Sequence, residues 1–297
     1  MTLKKILNKH AGYVFLTPWF LGFLVLTLIP LLISFYYSFT DFNMLSEPAF
    51  VGLDNYKRIF TADSSFRTTI RVTLMYVFIS VPLQIVVSLI LAFLLNKPVP
   101  CLSGIRAAFY IPSLLGGSVA VAILWRQIFG VDGVFNIFLS TIGLNQLSNI
   151  SWTADPRFSL GSLVLLRMWQ FGSPMIIFLA GIKQVPASYL EAAEVDGASK
   201  FTQIRKIILP ILSPIILFNL VMQIISAFKV FTEAFVISGS DGGVGGSLLV
   251  YTMHIYNAGF GQMRMGYASA LSWILVVMVG IFTVIAFKFS DRHVHYD

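Results

Sequence analysis

Charged residues are scarce in this 297-residue chain, and cysteine is almost absent. Only 11% of the residues are charged and 57% are hydrophobic, whereas a soluble domain carries roughly 25% charged residues. The single cysteine, Cys101, excludes an intramolecular disulfide and a metal site built from several thiolates. These shortages argue against a water-soluble fold and indicate a membrane protein.

Motifs for phosphate binding and for catalysis are missing as well. The sequence has no G-x-x-x-x-G-K-[ST] loop, so it lacks a cradle for the phosphates of ATP. Its four histidines do not have the spacing of an H-E-x-x-H metal site. No serine, histidine and aspartate arrangement for nucleophilic catalysis can be inferred from the spacing. We therefore expect a chain that is not an enzyme and that binds no metal or cofactor itself.

Basic residues exceed acidic ones, with 20 Lys and Arg against 13 Asp and Glu and a formal net charge of +7. In a soluble protein this balance would suggest nucleic acid as a partner. Here most of the basic residues flank apolar segments, where anionic lipid headgroups are the simpler partner. We expect contact with membrane lipid and none with nucleic acid.

Long apolar segments are abundant. A helix needs about 20 apolar residues to cross a bilayer, and six segments reach that length: 13–39, 69–95, 104–129, 159–182, 207–237 and 267–289. Lipid cannot satisfy an open sheet edge, and the segments lack the alternation of a β-barrel. The first is too long for a signal peptide and has no cleavage site, so we expect a retained helix. The predicted fold class is an all-α membrane protein with about six transmembrane helices.

The placement of lysine and arginine predicts the orientation. With the N-terminus in the cytoplasm, the cytoplasmic segments carry more basic residues, although the first outer loop opposes this bias. Six spans then place both termini in the cytoplasm. The expected division is a cytoplasmic N-terminal segment 1–12, a transmembrane domain 13–290 and a cytoplasmic tail 291–297.

Loops and prolines add local predictions. Residues 54–60 combine aromatic and basic side chains and predict a short interfacial helix. Residues 239–246 are glycine-rich and predict a flexible turn. Prolines inside the apolar segments predict kinks, which are either ordinary or open a cavity along a path; they are Pro18, Pro30, Pro82, Pro112 and Pro174.

A compact charged segment, residues 191–199, separates the fourth apolar segment from the fifth. It begins with good helix formers, and Gly197 then permits a turn. Its alanines are small enough for close approach to a groove, and its carboxylates can hydrogen-bond to a partner. On the residues alone, an amphipathic helix on the membrane surface is the simpler interpretation, and a docking element for a soluble partner is the alternative.

The segment and its surroundings resemble the EAA loop of bacterial ABC importer permeases. The match comprises residues 184–198 and 209–214, and the carbohydrate-type branch, with the maltose and glycerol-phosphate importer permeases, is the most similar. Further resemblance covers most of the chain, at 52–56, 110–112, 125–129, 132–136, 228–233 and 265–270. In two places the sequence departs from the family. An aromatic residue is usual at Ile204, where Phe201 is close enough to fill the same pocket, and an asparagine is usual at Val72.

The resemblance implies the permease subunit of an ATP-driven importer of sugars or oligosaccharides in the bacterial cytoplasmic (inner) membrane. Its implied partners are a second related permease subunit, two ATPase subunits that bind ATP and Mg, and an extracytoplasmic sugar-binding protein. The loop 184–206 would couple this chain to the ATPase, with Gly197 providing a turn and Asp196 capping the helix that follows. The implied coupling residues are Glu191, Ala192, Ala193, Glu194, Asp196, Gly197, Ala198 and Ser199.

Polar residues within the apolar segments are candidates for a substrate path, because a charge at the bilayer centre costs roughly 2.5–3.5 kcal/mol. In the fifth segment, a set at spacings of three and four shares one helical face. That face is either a polar seam with a partner permease or a path lining, and Lys229 can also pair with Glu233. The fourth segment adds an aromatic and an amide residue, which can equally be core. The candidate path residues are Trp169, Gln170, Asn219, Gln223, Lys229 and Glu233.

Two other functions remain open at this point. An ion-gradient-driven secondary transporter would need paired charges in several spans and no loop for an ATPase. A membrane assembly subunit would have no transport path of its own.

Overall fold

The computed structural model describes residues 11–97 and 100–290, and nearly all regular structure in these ranges is helical. The predicted tail 291–297 and most of the predicted segment 1–12 lie outside the described residues. Within the described ranges, an isolated β-bridge between Thr40 and Phe50 is the only β-structure. The predicted all-α fold class is confirmed.

The chain divides into two compact units. Unit 1 comprises the described residues up to Asp63 together with Ile255–Ile274, and unit 2 comprises Ser64–His254 together with the described residues from Leu275 onwards. The α-helices in chain order are α1 Ala11–Phe23, α2 Ile29–Tyr37, α3 Asp54–Thr61, α4 Ser64–Leu94, α5 Leu102–Leu115, α6 Val119–Ile128, α7 Val134–Thr141, α8 Ser159–Trp169, α9 Gly172–Gln184, α10 Ala187–Val195, α11 Lys200–Gln203, α12 Leu209–Ile211, α13 Ser213–Phe228, α14 Thr232–Ser238, α15 Tyr251–Tyr256 and α16 Met265–Ser290. π-Helical turns lie at Leu24–Leu28, Ile204–Ile208 and Asn257–Gly261.

Helices of membrane-spanning length coincide with four of the six predicted segments, and two bent helix pairs coincide with the other two. Four stretches are long and apolar enough by themselves: Phe15–Tyr37, Ser64–Leu94, Ser213–Ser238 and Met265–Phe289. Two pairs of helices pass the same test together, α5 with α6 and α8 with α9. The predicted spans therefore coincide with four single stretches, of which Ser213–Ser238 is interrupted at residues 229–231, and with two bent pairs.

The third predicted span is not a straight helix, because α5 and α6 meet at 99°. With 14 and 10 residues, they extend about 21 Å and 15 Å at 1.5 Å per residue. Neither crosses the roughly 30 Å apolar core of a bilayer by itself. The break falls at Gly116 and Gly117, and Ser118 begins α6 by accepting a hydrogen bond from the Val121 N–H at 3.3 Å. Hydropathy predicts the length of this apolar segment, but it does not predict the bend at which Ser118 caps the second helix.

Unit 2 contains two clusters of buried apolar side chains. The proximal cluster adjoins the loop 184–206, and its members are Ala92, Leu95, Met175, Phe178, Leu179, Ile182, Val185, Ile208 and Leu212. The distal cluster includes Tyr76, Leu163, Leu166, Phe228, Leu248 and Met253. These clusters define a proximal and a distal half of unit 2.

Unit 1 contains the predicted helix at 54–60, which is α3. Asn55 ties α3 to the preceding segment, because its Nδ2 donates to the carbonyl oxygens of Ser38 at 3.0 Å and Thr40 at 2.9 Å. The Tyr56 hydroxyl donates to Ser38 Oγ at 2.8 Å. The backbone groups that the bend after α2 frees from helical pairing thus find side-chain partners.

Residues 239–246 form a folded loop rather than the predicted flexible turn. Gly242 has a φ of +72°, and a Cβ there would lie 2.5 Å from the Leu249 backbone, so only glycine fits. The Leu248 N–H donates to the Gly242 carbonyl at 2.8 Å. Leu248 and Val250 are fully buried next to it. These apolar residues follow the glycines and hold the loop in place.

Candidate functional site

The loop 184–206 begins with a short helix that ends in a glycine cap. α10 ends at Val195, and Gly197 has a φ of +75°. The Ala198 N–H donates to the Ala193 carbonyl at 2.8 Å, and the Gly197 N–H donates to the Glu194 carbonyl at 3.0 Å. This pair of bonds is a Schellman motif, which satisfies carbonyls that the helix end leaves free. Gly197 therefore provides the turn expected of it.

Ser199, rather than Asp196, caps the second helix of the loop. Ser199 Oγ accepts a hydrogen bond from the Thr202 N–H at 3.3 Å, at the start of α11. Asp196 lies directly before Gly197 and is the C-cap residue of α10. The prediction for Asp196 was wrong because the left-handed turn separates this residue from the N-terminus of α11 by three positions.

An ion pair bridges the two helices of the loop. Lys200 Nζ donates to Glu194 Oε1, and this bond spans the turn at Gly197. The hydrogen bond from the Lys200 ammonium, together with its charge, lowers the pKa of the Glu194 carboxyl. Both side chains are solvent-exposed, so the pair orients the loop more than it stabilises it.

The exposed side of the loop carries two large apolar side chains. Val195 is 89% exposed and Phe201 is 72% exposed, one on each side of the glycine turn. Ala193 is buried and Ala198 half-buried against the same chain, so these alanines are not free to enter a partner's groove. Ile204 packs against the proximal cluster. Phe201 therefore does not fill the position of Ile204 as expected from the sequence.

The other coupling candidates lie on the surface of the loop. They are exposed to solvent: Glu191, Ala192, Glu194, Asp196, Gly197 and Ser199. Beneath them, Gln203 is 3% exposed and its Nε2 donates to the Ala198 carbonyl at 3.3 Å. Because Val185 and Ile208 belong to the proximal cluster, both ends of the loop are packed against the spans.

In the fourth span, Pro174 explains the 44° bend between α8 and α9. Proline has no N–H, so the Gln170 carbonyl, four residues earlier, lacks its helical donor. Gln84 Nε2 donates to this oxygen at 3.0 Å and Ser113 Oγ at 2.9 Å. The Gln170 side chain lies against Gly116, where a Cβ would come within 2.2 Å of it. The bend between α8 and α9 therefore lies in contact with the break between α5 and α6.

Trp169 packs against a second tryptophan. Its ring centroid lies 6.2 Å from that of Trp125, and both rings are half-buried. Trp125 Nε1 donates to the carbonyl and to Oγ of Ser162, each at 3.1 Å. These bonds hold the Trp125 ring in one orientation, and a paired aromatic surface remains partly exposed beside Gln170.

A buried arginine connects the fourth span to the fifth. Arg167 is 7% exposed, and its Nη2 donates to Gln223 Oε1 at 2.7 Å and to the Gln223 carbonyl at 3.1 Å. Its Nη1 reaches Ser226 Oγ at 3.5 Å. Asn219 is 1% exposed and donates to the Ile215 carbonyl at 3.0 Å. Asn219 and Gln223, the first residues of the polar face predicted for the fifth span, therefore form hydrogen bonds within this chain.

Lys229 and Glu233 do not form the pair that their spacing suggests. The helix ends at Phe228 and restarts at Thr232, so the two residues belong to different helices. Among the described residues, no carboxylate lies within ion-pair distance of Lys229. Lys229 is exposed and Glu233 is half-buried. The single helical face predicted for the fifth span therefore ends before these two residues.

A buried polar stripe on α4 escaped the sequence analysis. Its members recur at three- and four-residue spacing and are Thr69, Thr73, Tyr76, Ser80, Gln84 and Ser88. The stripe satisfies backbone groups at helix ends: Thr73 Oγ1 accepts from the Tyr251 N–H at 2.8 Å, and Ser88 Oγ donates to the Phe171 carbonyl at 3.1 Å. The same spacing rule that was applied to the fifth span detects it.

The fold and this site define a multi-pass α-helical membrane protein with a charged, structured loop between two of its spans. The chain belongs to the family described as "Binding-protein-dependent transport system inner membrane component", which matches residues 59–295. It is an ABC transporter permease, and the resemblance stated from the loop is confirmed.

Known relatives match the chain along nearly its whole length. The probable ABC transporter permease protein YesP of Bacillus subtilis (strain 168) is 48% identical over 290 residues, which cover 98% of this chain and 93% of YesP. The arabinooligosaccharides transport system permease protein AraP of the same organism is 33% identical, covering 95% of this chain and 89% of AraP. The trehalose/maltose transport system permease protein MalF of Thermococcus litoralis is 31% identical, covering 96% of this chain and 95% of MalF.

Solved structures share the fold. A chain of a bacterial ABC transporter involved in the import of the acidic polysaccharide alginate superposes with a TM-score of 0.80 at 22% identity, covering 98% of both chains. A chain of a bacterial alginate ABC transporter in complex with an alginate pentasaccharide-bound periplasmic protein superposes with the same TM-score of 0.80 at 22% identity. At this identity the likeness establishes the architecture of this chain and not its substrate.

Proposed function

We propose that this chain is one permease subunit of an ATP-driven importer for sugars or oligosaccharides, and that it forms half of the translocation path. The observation that carries the proposal is the match to the permease family over residues 59–295 together with relatives named for sugar transport, such as AraP and MalF. We place the chain in the bacterial cytoplasmic membrane with both termini inside, as the lysine and arginine distribution predicts.

The loop 184–206 is the proposed attachment site for a separate ATPase subunit, which binds the ATP and Mg. Val195 and Phe201 supply apolar contact area on both sides of the Gly197 turn. Charged side chains such as Glu191 surround them and supply hydrogen bonds at the rim. Because the loop is packed on the proximal cluster, closure of an ATPase dimer would move it together with the ends of α9 and α13.

Three discontinuities provide places where such a movement can be absorbed. They are the break between α5 and α6, the bend at Gln170 and the break at residues 229–231. Interrupted helices near polar groups are the usual sites of substrate contact in transporters. Trp169 and Gln170 are the proposed sugar contacts, because they are half-buried at the bend. Asn219 and Gln223 are proposed to hold the helices that frame the path, because hydrogen bonds within the chain engage them.

The remaining partners follow from the proposed transport cycle. A second, related permease subunit completes the path, two ATPase subunits bind below the loops, and an extracytoplasmic binding protein delivers the sugar. A binding-protein complex of the alginate transporter supports this last partner.

The test is copurification and reconstitution with the partner chains. We expect the ATPase subunits and a second permease to copurify, and a sugar-loaded binding protein to stimulate ATP hydrolysis in proteoliposomes. Val195→Asp should reduce the amount of copurified ATPase, because it places a charge in the proposed contact. Val244→Asp, at an exposed valine of the distal loop, is the matched control and should not. Uptake driven by an ion gradient without ATP would overturn the proposal.

A further inference from the structure

Cations greatly outnumber acids in the helices that can span a membrane. In those helices of the described chain, the single acidic residue is Glu233. The basic residues in the same helices are Arg67, Arg71, Arg106, Arg126, Arg167, Lys183, Lys229 and Lys288. This imbalance calls for a physical cause, because charges within spans are costly and mark pathways for ions and substrates.

The topology of the spans explains only part of the imbalance. Arg106 and Lys183 each adjoin residues packed in the proximal cluster, on the side of the loop 184–206, where the positive-inside rule places cations. Four other cations are neighbours in sequence of the distal cluster or of residues packed against it: Arg71, Arg126, Arg167 and Lys229. The positive-inside rule disfavours cations at that end.

The four distal cations have no acidic partner in the described part of the chain, since none takes part in an ion pair there. Arg167 is bound only by neutral groups, and its buried Nε has no hydrogen-bond partner in the described residues. Arg71, Arg126 and Lys229 are exposed on the surface of the chain. At membrane depth an exposed cation must face water or an anion rather than lipid tails.

Lys229 is exposed within a stretch that is long and apolar enough to span a membrane. It lies nine residues from Ser238 and sixteen residues from Ser213, the two ends of the stretch Ser213–Ser238, and so is not at either end. Lys229 occupies the break between α13 and α14, where interrupted backbone is tolerated if it lines a cavity.

Arg71 lines a cavity at the distal end of unit 2. The cavity has a volume of about 320 Å³, near the lower end of the range of about 300–1,000 Å³ for small-molecule sites. Its polar lining residues are Arg71, Thr68 and Ser247, with Gly245 and Gly246 beside them. Its apolar lining is Val72, Met75, Pro156 and Leu160. An arginine, two hydroxyl-bearing residues and an apolar wall suit a sugar ring that carries an acidic group.

We propose that the cargo of this permease is an oligosaccharide with carboxylate groups, a uronic-acid saccharide. The inference rests on the proposed function and names the substrate class of that path. Arg71 at the cavity would accept a carboxylate in bidentate geometry, and Lys229 at the helix break would supply the next positive charge. A path lined by cations favours anions and raises their local concentration.

Equilibrium binding to the whole transporter tests this inference directly. The transporter, with all its subunits except the binding protein, is placed in nanodiscs of phosphatidylcholine, which carries no net charge. The probes are tetragalacturonate and its carboxyl-reduced, neutral counterpart. We expect the acidic saccharide to bind about tenfold more tightly or better, and this difference to shrink in high salt, because screening weakens exposed charge pairs.

Charge-neutralising variants assign the preference to residues. Arg71→Gln and Lys229→Gln should each weaken binding of tetragalacturonate by about fivefold while leaving the neutral saccharide within about twofold, as expected for the loss of one charge-assisted contact. Arg157→Gln is the control, because Arg157 is an exposed arginine of the distal side that Asp155 already pairs. It should change neither affinity.

Three results would overturn the inference: equal affinity for the two saccharides, no binding of either, or an equal loss of both in the variants. If the cations serve lipid headgroups instead, the acidic preference is absent in neutral lipid and the inference falls. Copurification and stimulated ATP hydrolysis, measured on the same preparation, report on the proposed function separately. If they hold and the preference is absent, only the substrate class is wrong.

Discussion

Gly197 offers a quantitative test of the coupling loop. Its φ of +75° lies in the left-handed region, which costs an L-residue such as alanine roughly 1–2 kcal/mol. No atom lies within 4 Å of a Cβ built at this position, so a substitution acts through backbone strain and not through a clash. Gly197→Ala should therefore destabilise the capped loop by about 1 kcal/mol, whereas Gly197→Asn should cost less because asparagine tolerates this conformation.

The strain predicts how the two variants behave in binding assays. Since 1.4 kcal/mol corresponds to a factor of ten, Gly197→Ala should weaken ATPase binding to the loop by up to about fivefold. Gly197→Asn should stay closer to the wild-type chain. Loss of the cap should also speed hydrogen exchange in the peptide that contains Gly197 and Ala198, whose N–H groups form the two capping bonds.

The measurements are the affinity of the purified permease for its ATPase and the sugar transported per ATP in proteoliposomes. Equal effects of Gly197→Ala and Gly197→Asn would refute the role of backbone strain. If Gly197→Ala left affinity, coupling and hydrogen exchange unchanged, the cap would not be what presents Val195 and Phe201.

Further predictions concern the loop and the polar stripe. Phe201→Ser should weaken ATPase binding without lowering the thermal midpoint, because the side chain is exposed; a lower midpoint would place it in the core. Gln84→Leu should lower the free energy of unfolding by about 0.6 kcal/mol, and by at most about 1.7 kcal/mol, because it removes the hydrogen bond to the Gln170 carbonyl. The loss should be smaller in a Pro174→Ala background, where the restored N–H of residue 174 can bind that carbonyl. A double-mutant cycle of unfolding free energies that shows no coupling between the two substitutions would contradict this. Lys200 lowers the pKa of Glu194, so the contribution of their ion pair is present above the ordinary carboxyl pKa and is lost as the pH falls through the lowered value. In Lys200→Met, acid-induced loss of ATPase binding should begin at higher pH; an unchanged midpoint would show that the pair is irrelevant.

Much of the fold could be predicted because lipid imposes simple rules. Apolar length located the four stretches and the two bent helix pairs that can span a membrane, and the need to satisfy backbone groups selected helices over strands. The turn at Gly197 was predictable because glycine is the residue that enters the left-handed region without cost. These features depend on local composition, which can be read along the chain.

Other features depend on residues that are distant in sequence. The pairing expected between Lys229 and Glu233 assumed one continuous helix, and the break at residues 229–231 removed it. Gln223 was predicted to face a path or a partner, but Arg167, 56 positions earlier, binds it within the chain. No local spacing rule relates a side chain to one so far along the sequence.

By itself, the sequence determined the class of protein, the number of apolar segments and the loop by which it resembles its family. These follow from hydropathy, from the absence of a phosphate loop and from a local motif. Only the tertiary structure decided which candidates are buried and which are exposed: Ala193 faces inward, whereas Val195 and Phe201 face out. It also showed that Gln84 donates a hydrogen bond to the Gln170 carbonyl, which loses its helical donor at Pro174. Burial and hydrogen-bond partnership depend on how distant helices pack, and for that reason the sequence pattern does not contain them.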